Sequence, residues 1–185
     1  YGPWWQSLKS EERKHIKING ESVVELDYGS LHVHLAYSKL GIDYGNDNDP
    51  YSLDGFDKND RDIIKIATLT SLNMRTEKFF SQTVAKRLLE DGLYRKDISY
   101  KTMKEAIVMK HRPIKKYFFS GIGLEFMYLD SKVTEYIMKK FTTKKIPVLS
   151  IHDSYIVGKC YKNLLIEIMT SAFKYHKLPS IPDIK

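Results

Sequence analysis

Two aspartates stand where β-strands are predicted to end or turn, and an acid in such a place needs a chemical reason. Asp27 closes the strand-like segment 22–27, and Asp153 interrupts the apolar segment 146–158. Burying an unpaired carboxylate costs several kcal/mol, so each acid must be protonated, paired, placed in a turn or bound to a metal. If the two segments are neighbours in one sheet, the acids meet. Such a pair suits Mg²⁺, which commonly takes one or two protein carboxylates together with water and substrate phosphates.

Spacing alone favours a plainer interpretation of the same acids. Asp27 would cap the helix that follows it, and Asp153 would be the turn residue of a tight hairpin. A continuous strand is a further alternative, and its period-2 alternation would place Asp153 on one face with Leu149, Ile151, Tyr155 and Val157. The metal site is therefore one of several uses that the sequence allows for these two residues.

A second pattern with chemical potential lies on a predicted helix that runs from Arg61 to about Asn73. Arg61, Lys65, Leu69 and Asn73 recur every four residues and share one face of that helix. Like charges four residues apart disfavour an isolated helix by roughly 0.2–0.5 kcal/mol, so an anion such as a polyphosphate would stabilise this face. The alternative is an ordinary solvated face, opposite the apolar side chains Ile63, Ile64, Ala67 and Leu72.

The elements that must position these residues predict an α+β fold, with a small antiparallel sheet backed by helices. Hydrophobic periodicity and the positions of Gly, Pro and capping residues define these elements. The first half of the chain is predicted to form a strand over 22–27, a helix over 30–40 that ends at Gly41, a polar loop over 42–59 and a helix over 61–73 capped by Asp60. Two helices follow, one around Phe80, Val84 and Leu88 and one that begins at Ser99 and is stopped by Pro113. The remainder is predicted to form a helix opened by Asp130 or Ser131, a hairpin over 146–158 and a last helix that ends before Pro179.

Composition narrows the class of protein. The chain has 185 residues, of which 42% are hydrophobic and 29% charged, enough for an ordinary core. Its net charge of +7 favours an anionic partner. The lone Cys160 excludes an internal disulfide and any multi-cysteine zinc site.

No apolar run approaches the ~20 residues needed to cross a bilayer and no secretory signal is recognised, so we expect a cytoplasmic protein without a membrane partner. Because it opens on an aromatic segment without an initiator methionine, we expect it to be part of a longer chain.

Three segments resemble, in the same order, motifs of family A DNA polymerases. The segment Leu26–His32 resembles the first palm motif, in which a strand, Asp-Tyr-Ser and a helix follow one another. The face Arg61-x-x-x-Lys65-x-x-x-Leu69-x-x-x-Asn73 is similar to the fingers motif R-x-x-x-K-x-x-x-F-x-x-x-Y. Ile151-His152-Asp153-Ser154 resembles the third motif, which is His-Asp-Glu in the DNA enzymes and His-Asp-Ser in single-subunit phage-type RNA polymerases. Weaker matches at Trp4–Leu8 and Phe126–Phe141 extend the resemblance over most of the chain.

This resemblance implies a metal-dependent nucleotidyltransferase that adds nucleotides to a nucleic-acid end by a two-metal mechanism. Asp27 and Asp153 would hold two Mg²⁺ or Mn²⁺ ions. Arg61 and Lys65 would bind the triphosphate, and Lys65 would act in catalysis by charge stabilisation and as a proton source for the leaving group. The remaining implied contacts are Leu69, Asn73, His32 and Tyr28 to the nucleotide, and Gln6, His152 and Ser154 to the nucleic acid.

The resemblance also implies a domain plan and a set of partners. A palm would occupy about 1–41 and 124–185, with a reduced helical fingers subdomain over about 42–123, in a single polymerase-like core typical of a phage or mobile element. Its partners would be a DNA primer-template or RNA and nucleoside triphosphates, and a further domain or subunit would supply a thumb. His32, Asn73 and Ser154 replace the family's Glu, Tyr and acid, which leaves the choice of sugar open. Two alternatives remain, a catalytically degenerate module that binds nucleic acid and a metal-dependent nuclease that uses the same acids.

Overall fold

The computed structural model describes residues 3–185 as seven α-helices and four β-strands. In chain order these are α1 (Ser10–Arg13), β1 (Lys17–Ile18), β2 (Glu21–Asp27), α2 (Leu31–Ser38), α3 (Arg61–Asn73), α4 (Phe80–Glu90), α5 (Tyr100–Lys110), α6 (Gly123–Thr143), β3 (Leu149–Ile151), β4 (Ser154–Gly158) and α7 (Lys162–Tyr175). The strands form one antiparallel sheet in the order β1-β2-β4-β3. The predicted α+β class, a small antiparallel sheet backed by helices, is confirmed. Within residues 3–185, no helix is long and apolar enough to span a membrane.

Contacts divide the chain into two units. The first unit joins the chain up to Gly45 with Tyr128–Lys185, and the second unit is the continuous segment Asn46–Met127. The first unit contains the sheet with α1, α2 and α7, and the second contains α3, α4 and α5, while α6 begins in the second and continues into the first. That these units are a palm and a reduced fingers subdomain stays a prediction.

The sheet of the first unit places the start of the chain beside a hairpin from its end. β2 pairs with β4 from Val23 opposite Gly158 to Asp27 opposite Ser154. β3 and β4 form the predicted hairpin, and its two-residue turn is His152-Asp153. His152 has a φ of 50°, in the left-handed region that tight hairpins use. A continuous strand through Asp153 is therefore wrong, because the chain reverses there.

Pairing also assigns each residue to a face of the sheet, since residues directly opposite one another share a face. Leu26 and Tyr155 lie on one face, which packs on the helices through Thr134 and Phe173. Asp27 and its partner Ser154 lie on the other face, together with an apolar cluster of Ile16, Val23, Ile151 and Ile156 that Trp5 and Leu8 cover. Asp27 thus projects from the face that the start of the chain covers.

The last residues of the chain return to the sheet and hold the end of β2. The Asp27 amide donates to the Lys185 carbonyl (3.0 Å), and the Lys185 amide donates to the Asp27 carbonyl (3.1 Å). The Gly29 amide donates to the Asp183 carbonyl (2.8 Å). Further back, Ser180 is buried with its amide bonded to Ser38 of α2 (3.0 Å). The backbone of Asp27 is therefore fixed on both sides, by β4 and by this terminal segment.

The second unit contains three helices, α3, α4 and α5, each of which buries an apolar face. Ile63 and Ile64 of α3 are buried, as are Phe80, Val84 and Leu88 of α4 and Met103 and Ile107 of α5. The Ser99 hydroxyl accepts from the Thr102 amide (3.3 Å), which confirms its capping role. Asp60 is the N-cap residue of α3, as predicted, but its side chain makes no capping hydrogen bond, because the carboxylate accepts from the Asp57 amide (3.1 Å) and from Arg95 (2.7 Å).

Gly121 allows a close approach that any side chain would obstruct. Its φ is +72°, and an added Cβ would lie 2.8 Å from Cγ of Arg75. Gly121→Ala is expected to lower the free energy of unfolding by about 1–2 kcal/mol from the left-handed backbone, with a further loss from this contact. Gly92→Ala is the matched control, since Gly92 has a φ of +69° with no atom within 4 Å of the added carbon. Urea unfolding of both variants measures the difference, and equal losses would contradict the contact.

Candidate functional site

The pairing of β2 with β4 brings the two predicted acids to the same end of the sheet. Asp27 lies opposite Ser154, the residue that follows Asp153, and the Tyr28 amide donates to the Asp153 carbonyl (3.3 Å). Asp153 is a turn residue of the hairpin, as the plainer interpretation had it. The capping role for Asp27 is wrong, because the N-cap position of α2 belongs to Ser30. Two carboxylates far apart in the sequence are thus neighbours in the fold.

An open cavity of about 570 Å³ lies at this end of the sheet, and both acids line it. Asp27 is exposed and Asp153 is half-buried, so a ligand in solution can reach both carboxylates. Three further predicted residues, Gln6, His152 and Ser154, line the same cavity. The Gln6 amide is held in place by donating to the Ser150 carbonyl (3.0 Å). We call this space the acid-lined cavity.

Glu25, which sequence analysis missed, is a third carboxylate of the acid-lined cavity and stands two residues before Asp27 on the same face of β2. Arg13 donates to it from Nε (2.9 Å) and Nη2 (2.7 Å), and the Ser154 hydroxyl donates at 2.8 Å. Burial alone would raise the pKa of Glu25, but these hydrogen bonds outweigh burial and lower it. Glu25 is therefore a charged, fully engaged neighbour of the acid pair. The spacing Glu25-x-Asp27 was the signal that could have found it.

Asp130 is a further acid that sequence analysis placed at the start of a helix. The predicted start is wrong, because α6 begins at Gly123 and Asp130 lies inside it. Its Oδ1 atom is buried without a hydrogen-bond partner among residues 3–185. Burial and the Asp153 carboxylate raise the pKa of Asp130 to about 6, against a smaller opposing effect of His152. Asp130 therefore lies within electrostatic reach of Asp153. Its position between Phe126 and Val133, both core residues, was the signal for this inward direction.

His32 also belongs to the surroundings of Asp153. It lies on α2 and is half-buried. Burial lowers the pKa of His32, and the Asp153 carboxylate opposes that shift. The imidazole is consequently neutral at physiological pH and within electrostatic reach of the acid. The structure thus brings His32 towards the predicted site.

Two predicted contacts need correction, because their side chains are buried and occupied. Tyr28 is 1% exposed and its hydroxyl donates to the Met169 carbonyl of α7 (2.8 Å), so it is a core residue and its predicted nucleotide contact is wrong. Ser154 lines the acid-lined cavity, but it is 6% exposed and its hydroxyl donates to Glu25 (2.8 Å), with the Ile151 carbonyl oxygen also nearby (3.1 Å). Ser154 therefore supports Glu25 and does not present a free hydroxyl to nucleic acid.

The predicted phosphate-binding face lies on α3 in the second unit. Arg61 donates to the Asp49 carboxylate from Nε (2.6 Å) and Nη2 (3.1 Å), and its guanidinium lies 5.3 Å from the centre of the Tyr51 ring. The bonds to Asp49 raise the pKa of Arg61. One turn later, Lys65 is exposed. The charge of Arg61 is thus largely matched by Asp49, and Lys65 is the more accessible cation of the two.

The other two residues of this face differ in exposure. Leu69 is half-buried, whereas Asn73 is exposed and its Nδ2 donates to the Leu69 carbonyl (2.7 Å). A Cβ added to Gly123 would lie only 1.9 Å from Oδ1 of Asn73, so this amide lies directly against the start of α6. Asn73 therefore has a structural role whether or not it also contacts a nucleotide.

The donor set at the acid pair fits a hard divalent cation. Within residues 3–185, no three side chains of the His, Cys, Asp or Glu type are close enough together to hold a metal. Magnesium needs only one or two protein carboxylates, with water and phosphate oxygens completing its shell. Asp27 and Asp153 supply these two carboxylates. Asp130 has a buried oxygen without a hydrogen-bond partner, and its carboxylate is repelled by that of Asp153. A nearby cation would offset this repulsion.

Neither a scan against models of protein families nor a search of curated proteins finds a match for this chain. The similarity to family A polymerases consequently stays a resemblance of short motifs.

Proposed function

We propose that this protein is a metal-dependent nucleotidyltransferase that extends a nucleic-acid end in a template-directed, DNA or RNA polymerase-like reaction. One observation carries the proposal. Asp27 at the end of β2 and Asp153 in the turn just before β4 come from distant parts of the sequence, and both line one open cavity. These are also the two acids to which the family A resemblance assigns the metal ions.

The first unit supplies a rigid frame for these two carboxylates. The backbone of Asp27 is bonded to Lys185, and that of Asp153 is held in the hairpin turn beside Tyr28. Bound Mg²⁺ or Mn²⁺ would supply Lewis-acid activation of the attacking hydroxyl and charge stabilisation of the leaving pyrophosphate. Because the backbone at both residues is held, the main chain would need little rearrangement when a cation or a nucleotide arrives.

Residues around the acid pair tune its charge. Arg13 neutralises Glu25, so this carboxylate adds little net charge beside Asp27. Neutral His32 lies within electrostatic reach of Asp153 and adds no charge there. Asp130 adds negative potential from the helix side. Among the residues that line the acid-lined cavity, the three carboxylates of Glu25, Asp27 and Asp153 outnumber the cations of Arg13 and Lys14. This negative excess favours a cation, and nucleotides would enter as their metal complexes.

Lys65→Ala is expected to weaken nucleoside triphosphate binding about tenfold and to weaken nucleic-acid binding less. A charge-assisted hydrogen bond contributes roughly 1.5–3 kcal/mol, and Lys65 is exposed and available for one. Arg61→Ala is the matched comparison and should cost less, because Asp49 already binds the guanidinium. Titration with a fluorescent nucleotide and with a labelled oligonucleotide measures both affinities. Equal losses for the two ligands would contradict a phosphate role for Lys65.

Extension of a labelled primer tests the proposed function directly. DNA and RNA templates are each combined with Mg²⁺ or Mn²⁺ and with either dNTPs or NTPs, and products are resolved by length. The proposal expects template-dependent extension in at least one combination. A primer that is never extended would overturn the proposal. In that case, retained nucleic-acid binding would indicate a degenerate module, and metal-dependent shortening of the primer would indicate a nuclease.

A further inference from the structure

A second cleft lies on the first unit, between the C-terminal half of α6 and the end of α7. Its volume is about 520 Å³, and it shares no lining residue with the acid-lined cavity. Three rings and three ammonium groups line most of it, namely Tyr136, Tyr175, His176, Lys132, Lys139 and Lys140. We call it the tyrosine cleft.

The rings of the tyrosine cleft form an exposed stack. The Tyr136 and Tyr175 rings lie 4.8 Å apart at an angle of 35°, and His176 stands at 89° to Tyr175 with 5.0 Å between ring centres. The side chain of His176 is fixed, because its Nε2 lies 3.0 Å from the Lys132 carbonyl, which can only accept. Tyr175 is nonetheless 67% exposed. A preassembled ring therefore presents much of its surface to solvent.

Core packing does not account for this exposed ring. The inward faces of the same two helices are formed by fully buried residues, Val133 and Ile137 on α6 and Ala172 and Phe173 on α7. Tyr175 lies outside that core, where a large ring gains little from burial. An exposed aromatic ring next to a cleft instead offers a flat surface to a ligand.

The charges around the stack favour an anion. Glu135 is the one carboxylate among the described residues that line the tyrosine cleft, and it pairs with Lys132 (3.1 Å) and Lys139 (2.6 Å). Three lysines against one glutamate leave an excess of positive charge. The ammonium group of Lys140 lies 5.1 Å from the centre of the Tyr136 ring, so a cation borders the aromatic stack.

We propose that the tyrosine cleft binds single-stranded nucleic acid, with a base stacked on Tyr175 and backbone phosphates near Lys139 and Lys140. Exposed aromatic rings combined with basic side chains are how proteins hold unpaired strands. Duplex conceals the faces of its bases and could use only the lysines, and an acidic peptide would supply charge without a flat base. The site is separate from the acid pair and needs no metal ion.

Binding of a labelled single strand to the full chain in EDTA tests the proposal. An oligonucleotide of about 12 nucleotides, in DNA and RNA forms, is within the usual site sizes. Tyr175→Ala should raise the dissociation constant about tenfold, and Tyr175→Phe should change it by less than about twofold, because phenylalanine keeps the ring. Lys140→Gln should weaken binding more than Lys86→Gln, which removes the same charge from α4. Duplex of the same sequence should respond little to Tyr175→Ala.

Tyr128→Ala is the matched aromatic control, since Tyr128 is 61% exposed on the same helix as Tyr136 but does not line the tyrosine cleft. Unchanged binding by Tyr175→Ala, an equal loss in Tyr128→Ala, or an equal loss for duplex would each overturn the proposal. Photo-crosslinking of a bromouracil oligonucleotide gives a second measurement, with Tyr175 or Tyr136 as the expected attachment point. Neither experiment involves nucleotide addition, so a failure of the proposed enzymatic function leaves both outcomes interpretable.

Discussion

Asp153→Asn is expected to lower the rate of nucleotide addition about a thousandfold while the protein stays folded. Asparagine keeps the volume of the side chain and is well suited to a turn, but it removes the charge that a divalent cation requires. Loss of a preorganised electrostatic contact in an active site costs roughly 100- to 1000-fold, and a metal ligand belongs at the upper end of that range. Primer extension under single-turnover conditions measures the rate, and Asp27→Asn is expected to behave in the same way.

Glu167→Gln provides the control for this prediction, because it converts an exposed carboxylate of α7 in the same unit to an amide. It should extend primers at the wild-type rate. Circular dichroism and urea unfolding establish that both asparagine variants are folded. Activity within tenfold of wild type in either variant would remove that aspartate from the metal assignment.

Asp130→Asn is expected to stabilise the protein by about 2–3 kcal/mol above pH 6. The pKa of Asp130 is raised from 3.8 to about 6 by burial and by Asp153, so the folded state favours the neutral carboxyl. Below about pH 4, Asp130 does not lower the free energy of unfolding of the wild type. Between about pH 4 and 6 its ionisation lowers that free energy progressively, and above about pH 6 the loss is complete. Asparagine carries no charge, so the variant avoids this cost at neutral pH. Urea unfolding in EDTA from about pH 4 to 8 measures the difference.

Asp54→Asn is the matched control, since it makes the same change of side chain at an exposed position in the loop before α3. Millimolar Mg²⁺ is expected to narrow the gap between wild type and Asp130→Asn, because a cation at Asp27 and Asp153 offsets the charge of Asp130. An Asp130→Asn variant no more stable than wild type at neutral pH would contradict the buried, charged environment assigned to Asp130.

The helices were predictable where an apolar stripe and a boundary residue agreed. Ser99 capped α5 as expected because its serine, its periodic apolar residues and the following proline all indicate the same helix. The predicted start of α6 was wrong, because Gly123 and the aromatic residues before it are typical of a loop, whereas Asp130-Ser131 is typical of a helix cap. The length of a helix that begins on glycine depends on packing, here against Asn73, and local sequence does not contain that information.

The acid pair was predictable in part, because two acids at strand ends become neighbours once the strands pair. Strand pairing depends on residues far apart in the sequence, so the prediction was conditional on the two segments being neighbours in one sheet. The pairing of β2 with β4 meets that condition. The side-chain environment of Glu25 could not be predicted from the sequence, because its ion pair with Arg13 forms only in the folded protein. Tyr28 could have been predicted better, because strand alternation already directs it away from the face of Asp27.

The pairing of Asp27 with Lys185 has a consequence for the order in which the protein acquires its site during synthesis. Asp27 leaves the ribosome well before Asp153, β4 and the segment that bonds to the Asp27 backbone. The second unit is continuous in sequence, so it has all its residues for folding while the acid pair is still incomplete. Closing the sheet then requires a long-range contact between early and late segments, which is a slow class of folding step. Nascent chains released before residue 153 would therefore contain every residue of the second unit but only one member of the acid pair.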